Sequence, residues 1–162
     1  MFSLKDDPFK SGLDYAYRLL GYRARSAREI DSKLEAKGYD RSTIGKVIDR
    51  LKDLNYLNDL EFARSWVNER MKSKPRGRAL LRHELMSKGI DKGIIDSVIA
   101  EFIQPEDEYR MAKGIADQRL KHKGEEGIDR LKKRIHDYLV RRGFAYDVID
   151  QVLREIFEER RK

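Results

Sequence analysis

The sequence predicts an all-α protein: three tandem three-helix repeats forming an elongated, curved array. Three observations predict it. A set of apolar and glycine positions is written three times. Ile30, Leu34, Gly38, Ile44, Val47 and Ile48 return 51 residues later as Leu81, Leu85, Gly89, Ile95, Val98 and Ile99. They return again after 54 more as Ile135, Leu139, Gly143, Ile149, Val152 and Leu153. Self-similarity at such a period marks one supersecondary unit strung along the chain. Apolar residues otherwise fall at helical spacing, with no convincing alternating strand. Charged residues make up 40% of the 162 positions, against about 25% in an average globular protein, as expected of thin cores under much surface. A lone core of about 50 residues is marginal, so neighbouring repeats are expected to support one another. The expected boundaries are 1–56, 57–104 and 105–162.

Each element has a local reason. Ser11 is the expected N-cap of a first helix through Leu20, with Leu13, Ala16, Tyr17 and Leu20 on one face. Ser26-Ala-Arg-Glu29 is a capping box, and the helix it opens should stop at Gly38, suited to a left-handed C′ position. Asp40 caps a helix to about Leu54, turning Thr43, Ile44, Val47, Ile48 and Leu51 inward. Asn58-Asp-Leu-Glu61 reads as a second capping box, before a helix burying Phe62, Trp66, Val67 and Met71. Pro75 and Gly77 break that helix. The next runs from Arg78 to Lys88 and ends at Gly89. Asp91 caps another, with Ile94, Ile95, Val98, Ile99 and Phe102 apolar. Pro105 suits a first helical turn, and the helix beginning near Glu106 reaches Leu120. A loop at 122–127 absorbs the longer second spacing. Helices over 128–141 and 146–159 complete the third repeat.

Several function classes have no support in the residues. No phosphate-binding loop of the GxxxxGK[ST] or GxGxxG type occurs. His83, His122 and His136 are never three or four apart, and no HExxH is present, so they read as surface or half-buried helix residues. Without cysteine there are neither disulfides nor thiolate metal sites, which fits an intracellular chain. Glu106-Asp107-Glu108 follows a proline at a helix start, where negative charge suits the macrodipole. No cofactor and no catalytic residues are expected. The first ten residues lack a signal peptide's apolar run, and no stretch has the 18 or so apolar residues of a membrane span.

The cations say more. The net charge is +7, which favours an anionic partner without choosing one. Arg70, Lys72, Lys74, Arg76, Arg78 and Arg82 form a run that no acid interrupts. The corresponding turn of the first repeat holds Arg23, Arg25 and Arg28. In the third, Lys121 and Lys123 precede the loop, Arg130, Lys132, Lys133 and Arg134 lie on the following helix, and Arg141 and Arg142 close it. A cationic strip repeated in this way suits a long polyanion, with salt-sensitive binding. Among the aromatics, Tyr15, Tyr17, Tyr39, Phe62, Trp66, Phe102, Tyr138, Phe144 and Phe157 are expected in the core. Tyr22, beside Arg23 and Arg25, is the candidate for base stacking.

Four segments resemble the RecX family, regulators of the bacterial RecA recombinase. They are Ala16-Tyr-Arg-Leu-Leu20 with Arg23-Ala-Arg-Ser26 and Glu29; Leu57-Asn-Asp-Leu-Glu-Phe-Ala63 with Trp66; His83-Glu-Leu-Met-Ser-Lys-Gly-Ile90; and Arg141-Arg-Gly-Phe-Ala-Tyr-Asp-Val-Ile149. They stand in the family's order from Leu13 to Phe157. The resemblance implies three tandem three-helix repeats and a cytoplasmic, non-enzymatic protein; a monomer is expected. It further implies binding to RecA and its single-stranded-DNA filament, with inhibition of ATPase, strand-exchange and coprotease activity, and so a part in recombinational repair and the SOS response. Direct DNA binding occurs in some members. The chain departs from the family at Lys74-Pro-Arg-Gly-Arg78, where a Tyr-Gly or Phe-Gly pair is common.

Two other readings compete. A direct, sequence-independent DNA-binding module fits the basic charge, although no helix shows a clear set of Arg, Asn and Gln aimed at base edges, Gln151 and Arg154 on the last helix being weak candidates. A helical scaffold without nucleic acid fits the repeat alone.

Overall fold

The computed structural model describes residues 7–122, 124 and 127–158. These residues form nine α-helices and no strand. They are α1 (Pro8–Tyr22), α2 (Ala27–Lys37), α3 (Arg41–Asp53), α4 (Asp59–Ser73), α5 (Arg78–Ser87), α6 (Lys92–Phe102), α7 (Pro105–Lys121), α8 (Ile128–Arg141) and α9 (Tyr146–Glu158). Taken three at a time they are the three repeats. Among the described residues, no helix is long and apolar enough to cross a membrane. Lys123, Glu125, Glu126 and Glu159 lie outside the described residues.

The helix ends follow local chemistry. Ser26 accepts from the Glu29 amide while the Glu29 carboxylate accepts from the Ser26 amide, completing the capping box. Asp40 caps α3 through the Thr43 amide at 2.9 Å. Asn58 accepts from the Glu61 amide at 3.1 Å. Gly38, Gly89 and Gly143 have positive φ of 96°, 74° and 77°, the left-handed conformation that glycine adopts without a Cβ penalty. The first helix differs from expectation. It begins at Pro8, and Asp7 is its N-cap, accepting from Phe9 N at 3.0 Å. Proline at N1 fixes φ where the missing N–H costs nothing, so the start moves four residues upstream. Ser11 instead shares a 2.9 Å hydrogen bond with the Tyr39 hydroxyl.

The described chain divides into two compact units. Met1–Ser65 with Leu85–Ile95 form one, and Trp66–Glu84 with Asp96–Lys162 the other. In the first unit, α1, α2 and α3 pack together. Ala16, Ile30, Leu34, Ile44, Val47 and Leu51 are its fully buried centre, with Tyr39 and Leu57 at the margin. In the second unit, α7, α8 and α9 pack together. Ala112, Ala116, Ile135, Leu139, Ile149 and Val152 are completely buried there. The repeated apolar positions are therefore core positions, each worth about 1.5–3 kcal/mol on burial.

The second repeat contributes to both units, and each unit contains one joint between successive repeats. At the first joint, Ser26 Oγ donates to Lys88 O at 2.6 Å and Ala27 N donates to Asp59 Oδ1 at 2.9 Å. At the second, Gly77 N donates to Arg142 O at 2.8 Å and Arg78 N donates to Glu108 Oε1 at 3.0 Å. Ser26 and Gly77 are repeat equivalents, as are Lys88 and Arg142. In both joints the turn before one repeat's second helix binds the carbonyl just past the end of the next repeat's second helix. A carboxylate from the next repeat's first helix takes the following amide. Glu108 is consequently only 4% exposed. It serves as a buried anchor for Arg78, more than as a surface charge balancing its own helix.

Candidate functional site

Each joint carries a cationic groove. The first, about 380 Å³ in volume, lies between the α1–α2 turn and the end of α5. It is lined by Arg23, Arg25, Arg28, Lys33 and Lys88 around one acid, Glu29. The Arg23 guanidinium grips Glu29 with two bonds of 2.8 and 3.2 Å. Lys88 Nζ reaches the same carboxylate at 3.1 Å. Burial opposes charge on Glu29, but the bonds from Arg23, Ser26 N and Lys88 outweigh it and hold the carboxyl at about 2. Arg25 Nε donates to Leu19 O at 3.2 Å. The Arg28 stem lies over Gly89, so a Cβ there would stand 2.1 Å from Arg28 Cδ. Arg25, Arg28 and Lys33 enter no ion pair among the described residues.

A lowered folded-state pKa means that Glu29 contributes stability above the ordinary carboxylate range. That contribution is lost as the pH falls from about 4.5 toward 2. Glu29→Gln is expected to cost about 1 kcal/mol at neutral pH, after allowance for solvent screening. It should also flatten the acid limb of stability between those values. Urea unfolding of both proteins across that pH range checks this, and parallel acid limbs would refute it.

The second groove, about 530 Å³, lies between the α4–α5 turn and the third repeat. Its cations are Lys74, Arg119 and Arg142, with His122 and Tyr138 also in the lining and Pro75 and Ile115 as apolar wall. The Arg119 guanidinium sits 3.5 Å from the centre of the Tyr138 ring, a cation–π contact. Arg142 Nε and Nη2 both donate to the Tyr138 hydroxyl at 3.2 Å. These Arg142 bonds, aided by Arg119 and opposed by burial, push the Tyr138 hydroxyl below its ordinary pKa. Tyr138 is thus a half-buried polar ring between two arginines, and not the core aromatic its spacing suggests.

The structure sorts the other sequence candidates. The Arg70–Arg82 run, uninterrupted in sequence, meets acids in space. Glu84 accepts from Trp66 Nε1 at 2.8 Å and Arg70 Nε at 3.3 Å, and it also pairs with Arg76. Arg70 additionally covers the Trp66 ring at 4.1 Å. Arg82 pairs with Asp96 at 2.7 Å. Arg76 and Arg78 are half-buried, each with a buried Nε that has no partner. Burial lowers the Arg76 pKa, and repulsion from Arg70 and Arg142 lowers it further. Lys72 and Lys74 are exposed, as are Lys132, Lys133 and Arg141 on α8. Arg142 is brought to Lys74 in the second groove; Lys132 and Lys133 line neither groove.

Arg119, Glu84 and Asp59 were not legible as site residues, because their partners are far along the chain. The alignment of repeats does hold one clue: Arg142 is the equivalent of Lys88. Among the aromatics, Tyr39, Phe62 and Phe144 are buried, while Tyr22 is 85% exposed beside the first groove's arginines. His83 is exposed. His122 Nδ1 bonds Gln118 O at 2.9 Å and His136 Nδ1 bonds Asp137 at 3.1 Å. Among the described residues, no cluster of His, Asp or Glu is arranged to hold a metal.

Three family descriptions match in order along the chain. "RecX, first three-helix domain" covers residues 13–51, "RecX, second three-helix domain" 58–99 and "RecX, third three-helix domain" 106–153. The "Regulatory protein RecX" of Prosthecochloris aestuarii is 34% identical over 154 residues, covering 94% of this chain and 98% of that protein. The protein of the same name from Bacillus subtilis is 36% identical over 150 residues, covering 93% of this chain. The chain spans about half the length of the Bacillus relative, 56%. The crystal structure of RecX from Lactobacillus salivarius superimposes with a TM-score of 0.80 at 25% identity, covering 92% of this chain and 96% of that one.

Proposed function

Since this chain belongs to the RecX family, whose members are named regulatory proteins, we propose that it is a non-enzymatic negative regulator of the RecA recombinase. It binds the RecA–single-stranded-DNA filament in its groove and lowers ATP turnover, strand exchange and coprotease activity. Through these it restrains recombinational repair and the SOS response in the cytoplasm. The observation that carries this reading is the pair of equivalent cationic grooves, one at each repeat joint. A regular polymer presents the same feature repeatedly, and a repeat protein matches it with the same groove repeated. Weak contacts on one chain then reinforce one another through effective concentration.

In this reading the repeats are bounded at 1–56, 57–104 and 105–162, and the protein acts as a monomer. The exposed cations Lys72, Lys74, Lys132, Lys133 and Arg141 make contacts that salt weakens, together with Arg25 and Arg28. Those already paired within the chain, Arg23, Arg70, Arg76 and Arg82, chiefly shape the grooves. Direct, sequence-independent DNA binding is the second reading. The observation favouring it is that no carboxylate lines the second groove among the described residues.

DNA-dependent ATP hydrolysis by RecA on single-stranded DNA, titrated with this protein at two salt concentrations, tests the proposal. Inhibition below one protein per RecA subunit is the expected result. Unchanged turnover, with salt-sensitive DNA binding retained, would replace the first reading with the second.

A further inference from the structure

We propose that the groove formed by Lys74, Arg119, Arg142 and the Tyr138 hydroxyl is a binding site for a phosphate ester, the group shared by free nucleotides and nucleic-acid strands. The argument begins with the other joint. There an anion is already present: the Glu29 carboxylate bridges Arg23 and Lys88. The repeat equivalents of Arg23 and Lys88 are Lys74 and Arg142, so both cations persist at the second joint. The equivalent of Glu29 is Leu80. The second joint keeps the cationic frame but has no carboxylate at the Glu29 position, its buried acid Glu108 being held by the Arg78 amide and absent from the groove lining, so the groove's cations are left for an anion from outside.

The remaining geometry specifies its kind. Lys74, Arg119 and Arg142 are in no ion pair among the described residues. The Tyr138 hydroxyl accepts from Arg142, which leaves its own hydrogen to donate. Arg119 is held against the Tyr138 ring, so little side-chain freedom is lost on binding. Several donors lining one groove suit a tetrahedral oxyanion with many acceptor oxygens. The volume, about 530 Å³, falls in the range of small-molecule sites and exceeds the needs of a bare phosphate. Pro75 and Ile115 supply an apolar wall for the sugar or base of an ester.

The test uses the full chain alone, so it is independent of any recombinase and of the regulatory proposal. Two probes are titrated separately at low salt: ATP, and a fluorescein-labelled short thymidine oligonucleotide. Arg119→Gln and Lys74→Gln are each expected to weaken the bound probe about tenfold, as loss of a charge-assisted hydrogen bond would. Lys46→Gln, an exposed cation on α3, should change it less than about twofold. Binding of ATP assigns the site to free nucleotides, and binding of the oligonucleotide alone assigns it to strand phosphates. Binding of neither probe overturns the proposal. So does an equal loss in all three variants, which would mean diffuse attraction to a basic surface. Circular dichroism establishes that each variant is folded, and Lys74, exposed in a turn, gives a variant with little folding risk.

Discussion

Gly77→Ala is expected to cost about 3 kcal/mol of stability, the range of a severe steric substitution. A Cβ on Gly77 would lie 2.0 Å from the Gly143 carbonyl oxygen, 2.2 Å from its carbon and 2.3 Å from Phe144 N. All three are backbone atoms and cannot swing aside as a side-chain end does. Moving the loop away would stretch two joint hydrogen bonds, Gly77 N to Arg142 O at 2.8 Å and Ala79 N to Gly143 O at 3.2 Å. The effect is purely one of space. The control is Gly114→Ala in α7, where nothing lies within 4 Å of the added Cβ. There alanine should stabilise by about 0.5–1 kcal/mol, by restricting the unfolded chain and favouring helix. Urea denaturation of the two variants measures both. Similar changes in each would show that the Gly77–Gly143 approach is not a tight contact.

Glu84→Gln is expected to cost about 2 kcal/mol at low salt, with a deficit that shrinks as salt is added. Glu84 is one carboxylate shared by Trp66, Arg70 and Arg76. The side chains of this acid and its two arginines are 17–25% exposed. The loss is therefore set below the 3–5 kcal/mol of a fully buried pair. An amide still accepts from the indole, but it no longer offsets the repulsion from Arg70 and Arg142 that adds to burial in lowering the Arg76 pKa. Added ions screen that repulsion. Unfolding measured at low and high ionic strength checks both parts, and a deficit independent of salt would point to lost packing instead of charge.

What could be read from the sequence was whatever neighbouring residues decide. Ser26, Asp40, Gly38, Gly89, Gly143 and Pro105 act within a turn of helix, so their roles were evident from spacing. The apolar positions repeat because each repeat buries the same face. Asp7 and Ser11 are both good caps, and Pro8 decided between them. The electrostatics of the site were not legible for a different reason. Glu84 neutralises arginines 8 and 14 positions earlier, Asp96 pairs with Arg82 across two helices, and Glu108 reaches back 30 positions to Arg78. A run of cations tells the reader how much positive charge a segment has. Only packing tells which charges remain available.

The repeat joints bear on how such a chain changes its length over evolution. Gly89 and Gly143, at the ends of α5 and α8, press against Arg28 and Leu80 of the preceding repeat, whereas nothing lies within 4 Å of a Cβ placed on Gly38, at the end of α2. The second repeat thus carries a fastening at both sides: a turn that receives and a helix end that inserts. Tandem duplication of one repeat would bring a ready-made seam with it. Loss of the middle copy would instead set Ser26, with its Cβ, at the place against Gly143 where the Gly77 contact leaves no room for one. Gain of a copy is then a matter for recombination of the gene, with no new interface to be invented.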